Sequence, residues 1–123
     1  MSSDPSKRRR RIFKPGILAR RKSSPNPYQA ATAYQLRRIF ADAEILKKAA
    51  SGELTAVVEE EHPAAPEYNQ DEGTMSQLLV YYDKSGSAVA EAHQFLKKDG
   101  SLGASGQPDP KMVVQGGIQY HLP

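Results

Sequence analysis

Two different spacings of apolar residues divide the chain. Between residues 27 and 50, Leu36, Ile39, Phe40, Ala43 and Leu46 recur three and four positions apart, the spacing of one face of an α-helix. Start and stop signals bracket that stripe. Asn26 suits an N-cap, Pro27 a first helical position and Gln29 the capping-box position, while Gly52 suits a C-terminal stop. Arg38 with Asp42 and Glu44 with Lys48 fall four apart, pairs worth about 0.2–0.5 kcal/mol each on an exposed face. The spacing predicts one helix over 27–50.

From Ser76 onward the period becomes two. Residues 77–83 read as a strand, 84–87 as a turn built on Gly86, and 88–97 as the antiparallel partner. A Gly, Ser and Pro rich stretch over 101–110 follows, and then two short strands over 111–114 and 118–122 across Gly116-Gly117. On the second strand the alternation turns Ala88, Ala90, Ala92 and Leu96 toward the helix and Val89, Glu91, His93 and Phe95 away from it. The expected fold is α+β: one long N-terminal amphipathic helix packed on a small antiparallel sheet of about four strands.

Residues 53–75 interrupt this pattern with seven acidic side chains and no Lys or Arg. They read as an acidic loop, with a short strand or helical turn over 54–58 and an extended linker around His62-Pro63. Such a loop is either a solvated connection or a segment that folds back on a basic partner and competes with a polyanion in cis.

Charge changes the picture more than composition does. Residues 1–48 hold thirteen Lys or Arg against three acids, and residues 49–123 hold four against eleven. The overall +3 therefore hides two opposed halves. Lys7, Arg8, Arg9, Arg10, Arg11, Lys14, Arg20, Arg21 and Lys22 face only Asp4 within the first 22 residues, a run that cannot build a core. Residues 1–24 are thus expected to be a disordered basic arm, and 25–123 a single small domain. With no Cys there is neither a disulfide nor a thiolate metal site. No apolar stretch reaches the roughly 18–20 residues that span a bilayer, and no hydrophobic signal region follows Met1, so an intracellular protein without membrane contact is expected. In a eukaryotic cell the arginine cluster would also serve as a nuclear-import signal.

Candidate chemistry is sparse. Nucleophile-elbow, HExxH, Walker and dinucleotide-turn motifs are absent, and the loop Leu102-Gly103-Ala104-Ser105-Gly106 has no helix behind it to hold a phosphate. Glu91 and His93, two apart on one strand face, suit a base and acid acting on an RNA 2′-hydroxyl and leaving oxygen, with Lys97 or Lys111 as the phosphate cation. The alternative for the pair is an ordinary solvent-facing surface. His62 reads as exposed and His121 as lying near a strand end. His62, His93 and His121 lack ligand spacing, so no metal and no cofactor are expected. Tyr81, Tyr82, Phe95 and Tyr120 suit base stacking, although alternation sends Tyr81 and Tyr82 to opposite faces. In element order alone, residues 27–122 resemble small ribonuclease toxins of the barnase and RelE type, which implies a metal-independent ribonuclease.

These features rank three functions. First is a non-enzymatic nucleic-acid-associated protein, with RNA or a ribonucleoprotein favoured, whose arm binds phosphates and whose Arg37 and Arg38 extend the basic track. Second is a small ribonuclease using Glu91 and His93. Third is an assembly or adaptor protein of a viral or other large complex, in which the arm threads into a protein partner.

Overall fold

The computed structural model describes Arg10–Arg11 and residues 27–123. One mixed sheet runs through it. In chain order its strands are β1 (Arg10–Arg11), β2 (Tyr28–Ala30), β3 (Thr55–Pro63), β4 (Met75–Tyr82), β5 (Ala88–Leu96), β6 (Asp109–Gln115) and β7 (Ile118–His121). Two short helices, α1 (Ala33–Asp42) and α2 (Ile45–Ser51), lie between β2 and β3, and a 3-10 turn (Pro66–Tyr68) lies between β3 and β4. Across the sheet the order is β1-β3-β4-β5-β6-β7-β2. Only β2 with β7 is parallel. Six strands fall within residues 28–121, and the two-residue β1 adds to one edge. The class is α+β, but the expected long helix on about four antiparallel strands is overturned.

The helix fails at both ends of its predicted range. Residues 28–30 form β2, because their backbone finds partners on β7: Gln119 N–H donates to Pro27 O at 2.8 Å and Ala31 N–H to His121 O at 2.8 Å. Tertiary pairing overrides local helix signals here. The cap in use is Thr32, whose Oγ1 accepts from Gln35 N–H at 3.1 Å while Gln35 Oε1 accepts from Thr32 N–H at 2.8 Å. Asn26, the expected cap, lies outside the described residues. After the ten residues of α1 the helix breaks at Glu44, which adopts a left-handed φ of 55° at a cost of roughly 1–2 kcal/mol for a residue with a Cβ. That break resets the helical phase. Ile45 becomes 3% exposed and packs in the core, while Leu46, expected in the stripe, remains 44% exposed.

The acidic region departs from expectation as well. The short strand or turn expected over 54–58 is the start of the nine-residue strand β3, which runs on through the expected loop to Pro63 and pairs along its length with β4. A bulge between Val58 and Glu60 breaks the alternation. Glu59, at the bulge, is buried and accepts from Tyr82 Oη–H at 2.7 Å. On the outer edge of β3, Arg10 lies opposite Glu61 and Arg11 opposite Glu60 in antiparallel register.

Alternation then sorts the two sheet faces. Both helices cover one of them: Leu36, Phe40, Ile45 and Leu54 pack on Leu79, Tyr81, Ala90, Ala92 and Val113. On the other face Val57, Val80 and Tyr82 form a smaller buried cluster with Ala88. Ala88 was expected under the helix and Val89 opposite it. A bulge reverses them, since Tyr81 pairs with Ala90 but Tyr82 with Ala88, so Val89 joins the helix-side core. The β4–β5 turn is held by Asp83, whose Oδ1 accepts from the N–H groups of Ser85 (2.9 Å) and Ser87 (3.0 Å). No described helix is long and apolar enough to cross a membrane.

Candidate functional site

Below the Val57–Val80–Tyr82 cluster, on the same sheet face, β3, β4, β5 and β6 enclose a cleft of about 450 Å³. Each strand delivers a polar side chain to it. The register sets His62 of β3 opposite Ser76 of β4, Leu78 of β4 opposite His93 of β5, and His93 opposite Asp109 of β6. A third bulge, between Glu91 and Ala92 against β6, leaves Lys111 beside this row.

His93 is the most constrained member. Its Nε2 lies 2.6 Å from Ser76 Oγ, and Ser76 is itself only 7% exposed. Burial depresses the His93 pKa, the Lys111 ammonium and His62 push it further down, and the Asp109 carboxylate partly opposes them. The ring therefore favours its neutral form near pH 7. His62 is fixed by a different contact, with Nδ1 2.9 Å from Pro63 O. A carbonyl only accepts, so Nδ1 carries the hydrogen and Nε2 is the nitrogen that can exchange a proton with a ligand.

Charge and flat surface complete the cleft. Lys111 Nζ donates to Asp109 Oδ2 at 3.0 Å, and Asp109 Oδ1 lies 3.5 Å from Arg37 Nε on α1. Asp109 thus ties the cleft cation to the helix. The Phe95 ring stands edge-on to His93 at 4.7 Å and tilts against Tyr68 at 5.4 Å. Tyr68, on the 3-10 turn, is 55% exposed at the cleft wall. A second cleft, of about 530 Å³, lies on the other side of Asp109, between α1–α2 and the loop over 105–108.

Several predicted residues fall elsewhere. Glu91 sits opposite Val80 and Met112, two positions from His93, and is not among the residues lining the cleft. Lys97 pairs with Asp71 at 3.3 Å. Tyr81 is consumed by the core against Phe40 at 5.9 Å, and Tyr82 by its contact with Glu59, so neither offers a face to a base. Tyr120 packs against the helix-side core. His121 meets Tyr28 edge-on at 5.1 Å. Arg37 and Arg38 are exposed on α1, but Arg37 is engaged by Asp109. Of the arm, Arg10 and Arg11 form β1; Lys7, Arg8, Arg9, Lys14, Arg20, Arg21 and Lys22 lie outside the described residues.

Sequence reasoning missed His62, Ser76, Tyr68 and Asp109. His62-Pro63 resembled a linker, and only the recognition of β3 as a strand would have set His62 beside Ser76. Among the described residues no group of three or more His, Asp or Glu is arranged to hold a metal ion. No protein-family model, curated protein or solved structure matches the chain.

Proposed function

We propose that the protein binds RNA, with the basic arm neutralising phosphates and the cleft face accepting unpaired bases. The carrying observation is the position of β1. Arg10–Arg11 run along Glu61–Glu60 on the edge of β3, and the same strand supplies Glu60 and His62 to the cleft. Arg10–Arg11, within the most basic run of the sequence, thereby pair with a strand that lines a cleft holding Lys111 and two aromatic rings. Lys and Arg along a backbone give affinity without sequence preference, and aromatic faces such as Tyr68 and Phe95 stack single-stranded bases. Single strands offer those bases, and duplex DNA does not.

The test is fluorescence anisotropy of labelled single-stranded RNA, across a salt series, with the full chain and a variant in which Arg8, Arg9, Arg10 and Arg11 are all replaced by Ala. Each lost phosphate contact on a single strand flattens the log–log salt slope by about 0.7, so four contacts change it by about 3. Binding should weaken similarly for unrelated RNA sequences. Unchanged affinity and slope would sink the proposal.

A further inference from the structure

We infer that the cleft between β3 and β6 is a metal-free catalytic site that cleaves the RNA backbone, with His93 as base, His62 as acid and Lys111 as the phosphate cation. The inference rests on the RNA-binding reading and adds a reaction to it. Four observations converge. His62 and His93 enter one cleft from strands separated by β4, roughly 10 Å apart between backbones, which leaves room for a phosphodiester between two imidazoles. One nitrogen of each ring is anchored, His62 Nδ1 on Pro63 O and His93 Nε2 on Ser76 Oγ, so each ring is oriented and its second nitrogen can serve a ligand. Lys111 supplies the positive charge that the reacting phosphate develops against. Tyr68 and Phe95 wall the same cleft with a surface for the adjoining base.

The chemistry balances without an added reagent. Neutral His93, with Nε2–H donated to Ser76 Oγ, removes the ribose 2′-hydroxyl proton at Nδ1. The 2′-oxygen attacks phosphorus, the bond from phosphorus to the 5′-oxygen breaks, and protonated His62 gives its Nε2 proton to that departing oxygen. The products are a 2′,3′-cyclic phosphate and a free 5′-hydroxyl, and exchange with water restores both rings. Ser76 is a positioning residue, because it is buried and acts through the His93 ring. The groups that face His93 are Lys111 and Asp109 on β6, His62 and Glu60 on β3, Ser76 on β4, and Tyr68 on the 3-10 turn. Because the step needs a free base and a proton-bearing acid at once, the rate is expected to be bell-shaped in pH.

The experiment incubates the full chain, in EDTA, with a labelled single-stranded RNA and with a strand of the same sequence made wholly of deoxynucleotides, while anisotropy reads binding in parallel. The expected result is cleavage of the RNA alone, with cyclic-phosphate ends. His93→Gln and His62→Gln should each lower the rate roughly 100-fold or more while binding and thermal unfolding are retained. Ser76→Ala should shift the pH profile more than it changes binding. RNA bound but uncut by the intact chain overturns the catalytic inference and leaves the binding reading standing. Absence of binding overturns that reading itself. Cleavage that survives His93→Gln in a folded variant, or that extends to the deoxy strand, also overturns this site, since neither needs His93 to activate a 2′-hydroxyl.

Discussion

The two faces of the sheet are written in alternate residues of the same strands, and they are put to opposite uses. On β4, Leu79 and Tyr81 join the helix-side core, while Ser76, Leu78 and Val80 face the other way. On β5 the contrast is sharper. Ala90 and Ala92 are small and fully buried, which leaves volume for Leu36 and Phe40 of α1; His93 and Phe95, beyond them on the opposite face, are large and half-exposed. Under the helices the first face is apolar, while the cleft end of the second gathers His62, Ser76, His93, Asp109 and Lys111. Burial on the first thus holds the backbone that aims the side chains of the second.

That contrast predicts where stability and chemistry separate. Leu36→Ala removes a side chain with no solvent exposure and leaves a cavity, so it should cost about 2–5 kcal/mol in chemical denaturation. Ser76→Ala in the cleft should cost far less; equal losses would erase the distinction between faces. Tyr82→Phe comes next. Tyr82 lies on the cleft-side face yet is 2% exposed, and its hydroxyl donates to Glu59 at 2.7 Å, so removing the oxygen should cost about 1–3 kcal/mol. A neutral result would mean that this cluster is softer than the helix-covered one.

A smaller effect is expected with pH. Burial holds His93 below the ordinary imidazole value of 6.5, so the unfolded chain takes up a proton before the folded one does. Stability is therefore complete above about pH 6.5 and declines as pH falls from there through the folded value of His93. Comparing denaturation midpoints at about pH 7 and pH 5, His93→Gln should reduce the drop; an identical drop would assign it to other groups. The smallest effect concerns β1. Because Arg10 stands opposite Glu61 on the edge of β3, removing that acidic charge with Glu61→Gln should ease competition with a polyanion and tighten RNA binding by a few-fold. Weaker binding in that variant would argue against competition in cis.

What the sequence disclosed depended on whether local pattern and tertiary pairing agreed. The β4–β5 hairpin lies within two residues of its expected bounds, since alternation and the Gly86 turn act locally. The helix was misread because Tyr28-Gln29-Ala30 takes its conformation from β7, a partner that no local window contains. Strand β3 was hidden by the run Glu59-Glu60-Glu61, where a bulge destroys the two-residue period. The cleft suffered doubly. His93 was legible as a strand residue with chemical potential, but its companions sit across the sheet on an unrecognised strand and on a 3-10 turn, so Glu91, the neighbour in sequence, was chosen over His62, the neighbour in space.

The parallel pairing of β2 with β7 has a consequence for the order of folding. Its partners stand roughly ninety positions apart, and closing so large a loop gains only three residues of ladder. The β3–β4–β5 hairpins close far shorter loops and gain longer ladders. The strand that delivers the chain to Thr32 is therefore expected to zip last and to open first, so that amide exchange at Gln119 and Ala31, donors at the two ends of that seam, should outpace exchange along β4. The entry to α1 is, in kinetic terms, a latch closed after the sheet has formed.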